Sequence, residues 1–189
     1  KLGTVGFVVP ETELQVVDDD GKVLASGEKG ELWVRGPQVM KGYWQNEAAT
    51  AEALTPEGWF KTGDFAQIDE QGYVRIVDRK KEMINVSGFN VFPSEVEEVA
   101  NSHPDIFESA AIGLPCEKTG EKVKLFIVAR DASLTAEAVI HYCRQNLTAY
   151  KVPKEIVFVE ELPKSNIGKI LRRELREQEL AKLEKSSQS

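Results

Sequence analysis

The sequence predicts an α+β protein in which a small β-rich, barrel-like unit is followed by a separate compact α+β C-terminal domain. Up to about residue 78, short apolar runs are broken by turn-forming residues, as in strands joined by hairpins. Beyond that point, strand-like runs alternate with amphipathic helical segments. The basic run Asp78-Arg79-Lys80-Lys81 marks the change. We therefore expect two domains, residues 1–78 and 79–189.

Apolar runs in the first domain predict its strands. They lie at residues 7–9, 14–17, 31–34, 65–68 and 73–77. Residues 19–21 and 70–72 each end in a glycine that tolerates the positive φ of a tight hairpin. The alanine-rich segment 47–54 is the helix predicted in this domain.

In the second domain, Pro93 and the capping-box spacing of Ser94 and Glu97 predict the start of a helix. Further elements follow from apolar spacing: strands at 110–112, 123–129 and 156–159, and a helix over 139–147. A last helix is expected to begin near Leu171 and to fray over residues 186–189.

The composition excludes several classes of protein. A formal net charge of −7 argues against a nucleic-acid partner. No run approaches the ~20 apolar residues of a membrane helix, and Cys116 and Cys143 are too few for a disulfide scaffold. We expect a cytoplasmic protein, and the absence of a methionine at position 1 predicts a piece of a longer chain.

A loop just before the last helix contains a candidate catalytic residue. Pro163, Asn166 and Gly168 predict the loop, and Lys169 lies close to the predicted helix start. A lysine beside a glycine is most often a solvated surface charge. A cation at a helix N-terminus is slightly unfavourable unless an anion is near, however, so the position also indicates phosphate or carboxylate recognition.

Two further segments allow both a structural and a functional interpretation. Asp64 follows Gly63 at the start of a predicted strand, where its carboxylate could cap a turn or accept hydrogen bonds from a ribose diol. Gly88 interrupts two apolar stretches, so the backbone either forms a bulge there or lets a ligand pass close by.

Together these segments resemble the adenylate-forming superfamily, which comprises acyl-CoA synthetases, firefly luciferases and adenylation domains of nonribosomal peptide synthetases. Five motifs match in order and cover nearly the whole chain. They are Gly30-Glu31-Leu32 through Gly42-Tyr43-Trp44, Lys61-Thr62-Gly63-Asp64, the hinge and loop at 78–97, and the closing segments 147–153 and 163–172. Segments 86–93, 147–153 and 161–175 are most similar to bacterial long-chain fatty acid–CoA ligases.

The resemblance implies a role for several residues. Lys169 would be catalytic, bridging the substrate carboxylate and the α-phosphate of ATP, while Asp64 and Arg79 would bind the ribose. Lys81 would be the hinge about which a mobile C-terminal domain rotates. The loop of Ser87, Gly88 and Phe89 would then bind CoA.

The same resemblance limits what the chain could do alone. The phosphate loop and the Tyr-Gly-x-Thr-Glu segment of the superfamily are absent from this sequence. Residues 1–78 would therefore be the end of a large N-terminal adenylation domain. We expect Mg-ATP, CoA and a fatty acid as substrates of the whole enzyme, no metal ligand here, and no activity of this piece alone. His103, His141 and both cysteines are interpreted as structural.

Other functions remain open from the sequence. A fatty acid–AMP ligase or a carrier-protein-loading adenylation enzyme would share Lys169 and Asp64. A non-catalytic nucleotide- or CoA-binding module could instead hold an anion at residues 79–81 and 172–173. Chain-length preference, oligomeric state and contact of the parent protein with the inner membrane are not determined by these residues.

Overall fold

The computed structural model describes residues 1–187, which divide into two compact units, the first ending at Lys81 and the second beginning at Glu82. We call them unit 1 and unit 2. The division falls after Lys81, whereas the sequence predicted a boundary after Asp78. Strand pairing explains the difference, because Arg79 still pairs with Asp64 in the sheet of unit 1 and Lys80 bonds to Glu31 of the same unit.

Unit 1 is an open antiparallel sheet of four strands in the order β1-β2-β3-β4. Its elements are β1 (Glu13–Val17), β2 (Lys29–Arg35), α1 (Glu47–Ala53), β3 (Phe60–Ile68) and β4 (Val74–Arg79). The α+β class is confirmed, but the sheet does not close, so the barrel-like expectation is corrected to an open meander. Val16, Leu32, Ala66 and Val74 form its buried core.

The predicted strand at residues 7–9 is wrong. Phe7, Val8 and Val9 are exposed and lie outside any strand, and a bridge between Gly6 and Val74 joins the segment to the sheet. Pro10 lacks the N–H that a further ladder bond would need. The helix at 47–54 is confirmed as α1, whose N-cap Asn46 accepts a hydrogen bond from the N–H of Ala49.

Unit 2 is a five-stranded sheet with helices on both faces. Its elements are β5 (Ile84–Val86), β6 (Phe89–Val91), α2 (Pro93–Asn101), β7 (Ile106–Cys116), β8 (Gly120–Ala129), α3 (Ala136–Asn146), β9 (Glu155–Phe158) and α4 (Arg172–Ser187). The strands run in the order β6-β5-β8-β7, and β9 pairs in parallel with β8. Short 3₁₀ turns occupy Lys80–Glu82 and Ala149–Lys151.

Alternation along β7 and β8 divides the core of unit 2 into two layers. One layer contains Ala111, Val123, Leu125 and Ile127 and packs against α2 and α3. The opposite layer contains Ala110, Ile112, Leu114 and Phe126, and it packs against Leu162 and against Leu175 of α4. Because both faces are covered, the strands carry nearly continuous apolar runs, which is the pattern that predicted them.

Two predictions about helix ends differ from the structure. Phe92, not Ser94, is the N-cap of α2; Pro93 is the first helical residue, as expected. At the other end of the chain, α4 remains helical through Ser187, where fraying was predicted. The remaining part of that prediction, residues 188–189, lies outside the described residues.

Gly30 illustrates how closely the strands of unit 1 approach each other. A Cβ built on this residue would lie 2.2 Å from the carbonyl oxygen of Val17 and 2.7 Å from Cδ1 of Leu24. The first contact is with backbone in a paired strand, so the neighbour cannot move aside cheaply. The glycine of the Gly30-Glu31-Leu32 motif is therefore required by packing.

We predict that Gly30→Ala lowers the free energy of unfolding of the chain by about 2 kcal/mol, because overpacking outweighs the ~0.5–1 kcal/mol that alanine gains over glycine in a strand. Urea denaturation followed by circular dichroism measures the change. Gln71→Ala, at an exposed turn of the same unit, is the control and should have almost no effect. Equal midpoints for the two variants would contradict the packing argument.

Candidate functional site

The Thr62-Gly63-Asp64 segment forms a bulge in β3. Glu31 pairs with Phe65 and Trp33 with Lys61, so the three residues 62–64 lie opposite Leu32 alone. Gly63 has φ +70°, the hydroxyl of Thr62 donates to the carbonyl of Leu32 at 2.7 Å, and the N–H of Asp64 donates to that hydroxyl oxygen at 3.1 Å. The bulge re-aims Asp64 relative to a regular strand.

The structure brings Asp64 and Arg79 together. They are register partners across β3 and β4, and Nη1 of Arg79 lies 2.8 Å from Oδ1 of Asp64. The Arg79 side chain is 49% exposed and that of Asp64 23% exposed. An ion pair this open to water contributes only ~0–1 kcal/mol. A competing hydroxyl ligand could therefore rearrange the pair at low cost.

Lys80 forms ion pairs with two carboxylates of unit 1. Its ammonium lies 3.0 Å from Glu31 and 3.2 Å from Asp19. Partial burial disfavours the charged form, but the hydrogen bonds to these two carboxylates outweigh it, so the pKa of Lys80 is raised. Lys80 is therefore held in place as a cation.

Lys81 occupies a different position from its two basic neighbours. Its side chain is exposed within the 3₁₀ turn Lys80–Glu82, and the compact units divide directly after it. In the described part of the chain its ammonium has no ion-pair partner within 4.0 Å. Its role as a hinge remains a prediction.

Ser87 and Gly88 form a two-residue hairpin turn between β5 and β6, in which Val86 pairs with Phe89. Both turn residues have positive φ, +55° and +84°, as in a type I′ turn. The N–H of Ser87 donates to the carbonyl of Thr119 at 2.8 Å. A Cβ on Gly88 would meet no heavy atom within 4 Å. Backbone conformation, rather than crowding or a bulge, is what requires glycine here.

Phe89 is exposed and stacks on a residue that the sequence did not single out. Its ring lies 4.6 Å from that of Tyr150 with an interplanar angle of 20°. Lys151, the next residue, bonds to Glu95 of α2 at 2.6 Å. The closing segment 147–153 thus packs beside the Ser87-Gly88 turn through Tyr150 and Phe89. This contact could not be inferred from spacing along the chain.

Lys169 lies on a short loop that is fixed by its backbone. The N–H of Ser165 donates to the carbonyl of Lys169 at 2.8 Å, and that of Gly168 donates to the carbonyl of Ser165 at 2.8 Å. A bridge between Lys164 and Ile170 closes the loop. The Lys169 side chain is exposed and makes no ion pair among the described residues.

Lys169 does not lie at the N-terminus of the last helix, as the sequence had suggested. Helix α4 begins at Arg172, so the lysine precedes the helix and does not occupy its first turn. The unfavourable interaction with the helix dipole, which falls off within the first turn, is therefore small. What distinguishes Lys169 is an exposed ammonium on a backbone that is held in place.

The two arginines that follow are engaged within unit 2. Arg172 pairs with Glu97 at 2.6 Å and with Glu82 at 2.5 Å, and Arg173 pairs with Glu177 at 2.7 Å. The alternative of an anion site at residues 172–173 loses support, because these cations already have carboxylate partners. Lys80 of unit 1 likewise has two carboxylate partners, Glu31 and Asp19.

The cysteines and histidines have local contacts. Burial raises the pKa of the Cys143 thiol to about 11. The pKa of the Cys116 thiol is lowered, and the largest cause is a hydrogen bond with the Thr119 side chain. His103 accepts a hydrogen bond from the N–H of Asp105, and His141 bonds to Gln145. Within the described residues, no cluster of three or more potential metal ligands is found.

The predicted site residues are divided between the units. Asp64, Arg79 and Lys81 belong to unit 1, and residues 87–89 and Lys169 belong to unit 2.

No helix in residues 1–187 combines the length and apolar composition needed to cross a bilayer.

Two family models match the chain. The model of the AMP-binding enzyme covers residues 1–44, and that of the AMP-binding enzyme C-terminal domain covers residues 95–169. The first match includes Gly30, Glu31 and Leu32, and the second ends at Lys169.

Curated relatives match over most of the chain. It is 58% identical over 178 residues to a long-chain-fatty-acid–CoA ligase of Yersinia pestis, covering 94% of this chain and 32% of the relative. The ligase of the same name from Escherichia coli O157:H7 is 55% identical over 182 residues, with 96% and 32% covered. The chain thus spans about a third of the length of these relatives.

Solved structures also match most of the chain. ATP-bound MatB from Rhodopseudomonas palustris matches with a TM-score of 0.88 and 38% identity, over 93% of this chain and 35% of that one. The o-succinylbenzoate CoA synthetase of Bacillus subtilis, in complex with its acyl-adenylate intermediate, matches with a TM-score of 0.82 and 34% identity, over 93% and 36%. With the ordered motifs and both family models, these matches show that the chain belongs to the AMP-binding enzyme family.

Proposed function

We propose that the chain is the C-terminal part of an AMP-forming long-chain fatty acid–CoA ligase, which activates a fatty acid with ATP and transfers the acyl group to CoA. The observation that carries the proposal is the 58% identity to such a ligase over 94% of the chain. The division of the predicted reaction residues between two compact units supports it. The chain alone, which lacks a phosphate loop, would catalyse neither half-reaction.

In the first half-reaction, a fatty acid carboxylate attacks the α-phosphorus of Mg-ATP, the acyl-adenylate forms and pyrophosphate leaves. Lys169 would lie between the two anions and stabilise the negative charge that builds in the transition state. Its exposed ammonium suits this role, because no carboxylate of the described residues neutralises it. The compact charge of lysine can approach both oxygens at once.

Asp64 and Arg79 would hold the nucleotide for that attack. Their side chains lie 2.8 Å apart across β3 and β4, so a ribose could receive an acceptor and a donor from one place on the sheet. Fixing the sugar limits the motion of the α-phosphate and so favours in-line attack. Mg²⁺ would arrive with ATP, and no residue assigned a role here is a metal ligand.

In the second half-reaction, the CoA thiol attacks the acyl carbon and AMP leaves. Lys169 would block this approach, so unit 2 would rotate about Lys81 and bring the Ser87-Gly88 turn to the adenylate. The open space around Gly88 would let the pantetheine arm pass close to the backbone. No covalent acyl-enzyme is needed, in keeping with the structural contacts of both cysteines and both histidines.

Two alternatives differ in the acceptor or in the presence of catalysis. A fatty acid–AMP ligase or a carrier-protein-loading enzyme would retain Lys169 and Asp64. Assaying the complete enzyme with CoA and with a phosphopantetheinyl carrier protein separates these possibilities. A non-catalytic module would bind nucleotide or CoA without turnover.

Within the main proposal the enzyme works in the cytoplasm, which the free thiols of Cys116 and Cys143 support.

In the complete enzyme, Lys169→Ala should slow adenylate formation by about 100- to 1,000-fold, the usual cost of removing a group that stabilises transition-state charge. Thioester formation from supplied acyl-adenylate should change by less than about 3-fold. Pyrophosphate exchange measures the first step and chromatography of acyl-CoA the second. Lys154→Ala, at an exposed lysine of unit 2, is the control. Equal losses in both steps would refute a role confined to adenylation.

Gly88→Leu should give the opposite pattern, slowing the thiol step by about 10-fold or more while ATP use changes little, because a displaced reactant costs rate steeply. Gly72→Leu controls for backbone strain, since Gly72 has φ +83° in a hairpin of unit 1. If Gly88→Leu left the thiol step unchanged, Gly88 would be only a turn residue.

A further inference from the structure

Arg172 is enclosed by carboxylates at the start of α4. Its Nε and Nη2 donate to the two carboxylate oxygens of Glu97 at 2.7 and 2.6 Å, and its Nη1 donates to Glu82 at 2.5 Å. The side chain of Arg172 is 18% exposed and that of Glu97 is 11% exposed. Such a two-pronged, partly buried contact fixes the orientation of the guanidinium as well as its position.

Glu97 is itself held by the core of unit 2. It lies on α2 between Val96 and Ala100, which are fully buried, and its Oε1 also accepts a hydrogen bond from the N–H of Ala111 at 2.8 Å. The carboxylate therefore joins α2, β7 and the start of α4 at one point. Arg172 is attached to a rigid part of the unit.

The loop of Lys169 is connected to this point by a short, bonded stretch of chain. The N–H of Leu171 donates to the carbonyl of Pro163 at 2.8 Å, and Ile170 bridges to Lys164. On the other side of the loop, Lys164 pairs with Glu108 of β7 at 2.8 Å. Because the Lys169 side chain makes no ion pair in the described chain, its direction depends on how this backbone is held.

We infer that Arg172 is a positioning residue for Lys169, holding the loop against α2 so that the ammonium projects from a fixed point of unit 2. Glu82 extends the same cluster to the residue directly after Lys81, so the lysine loop and the start of the unit are fixed together. This inference rests on the proposed function of Lys169.

A purely stabilising role accounts less well for the cluster. Buried ion pairs are weak sources of stability, since desolvation offsets much of their attraction. The neighbouring Arg173 has a side chain that is 88% exposed and pairs with Glu177 one turn along the helix. It provides a matched position of the same residue type, with a carboxylate partner but no link to α2.

The test uses the complete enzyme with Arg172→Lys, which keeps the charge but loses the two-pronged geometry. Arg173→Lys is the control. We expect Arg172→Lys to slow adenylate formation by about 10-fold or more through misplacement of Lys169. Thioester formation from supplied acyl-adenylate should change by less than about 3-fold. Hydrogen exchange of the 163–171 peptide should become about 5-fold faster or more, with exchange in β7 and β8 unchanged.

The experiment separates failure of this inference from failure of the proposed function. If Lys169→Ala abolishes adenylation while Arg172→Lys alters neither adenylation nor loop exchange, the positioning role is overturned. If Lys169→Ala itself leaves adenylation intact, the proposed function fails first and the inference fails with it. Should Arg172→Lys not fold, Glu97→Gln replaces it, since that change keeps an acceptor oxygen for the N–H of Ala111 but breaks the two-pronged pair with Arg172; unchanged loop exchange and adenylation in that variant would likewise overturn the inference.

Discussion

The paired hydrogen bonds between Arg172 and Glu97 connect the loop of Lys169 to the core of unit 2, and the proposed chemistry depends on that connection. A lysine that must act at one stage and be absent at the next has to move with a rigid body, because a flexible side chain alone would neither aim nor withdraw reliably. The sheet of unit 2, covered by helices on both faces, supplies that body. Lys81, exposed where the units divide, is the position at which the body could turn.

Glycines determine where the chain can present functional groups, and they do so for different reasons. Gly30 is required by the carbonyl of Val17, which leaves no room for a side chain. Gly63 and Gly88 are required by positive φ, in a bulge that directs Asp64 and in the tip of a hairpin. The first glycine is a packing constraint, whereas the other two shape the backbone at the predicted ATP- and CoA-binding segments.

Much of the fold followed from local pattern, because apolar runs and hairpin glycines report on neighbouring residues. The bulge at residues 62–64 could not be predicted, since it exists only relative to Leu32 on the partner strand. The expected capping box is not formed as predicted, because Phe92 rather than Ser94 is the N-cap, and Glu97 bonds to Arg172, 75 residues away. Motif order predicted roles for Asp64, Arg79 and Lys169, but the Asp64–Arg79 ion pair and the stacking of Phe89 on Tyr150 required the three-dimensional structure.

The central claim is that one rigid unit presents Lys169 and then the Ser87-Gly88 turn to the same substrate. Pulsed electron–electron double resonance on the complete enzyme tests it most directly. The distance is measured between spin labels at Gln71 of unit 1 and Arg144 of unit 2, both of which are exposed. One distance is predicted with ATP and an unreactive fatty acid analogue, and a different one with an acyl-adenylate analogue and CoA. The same single distance under both conditions would contradict the account.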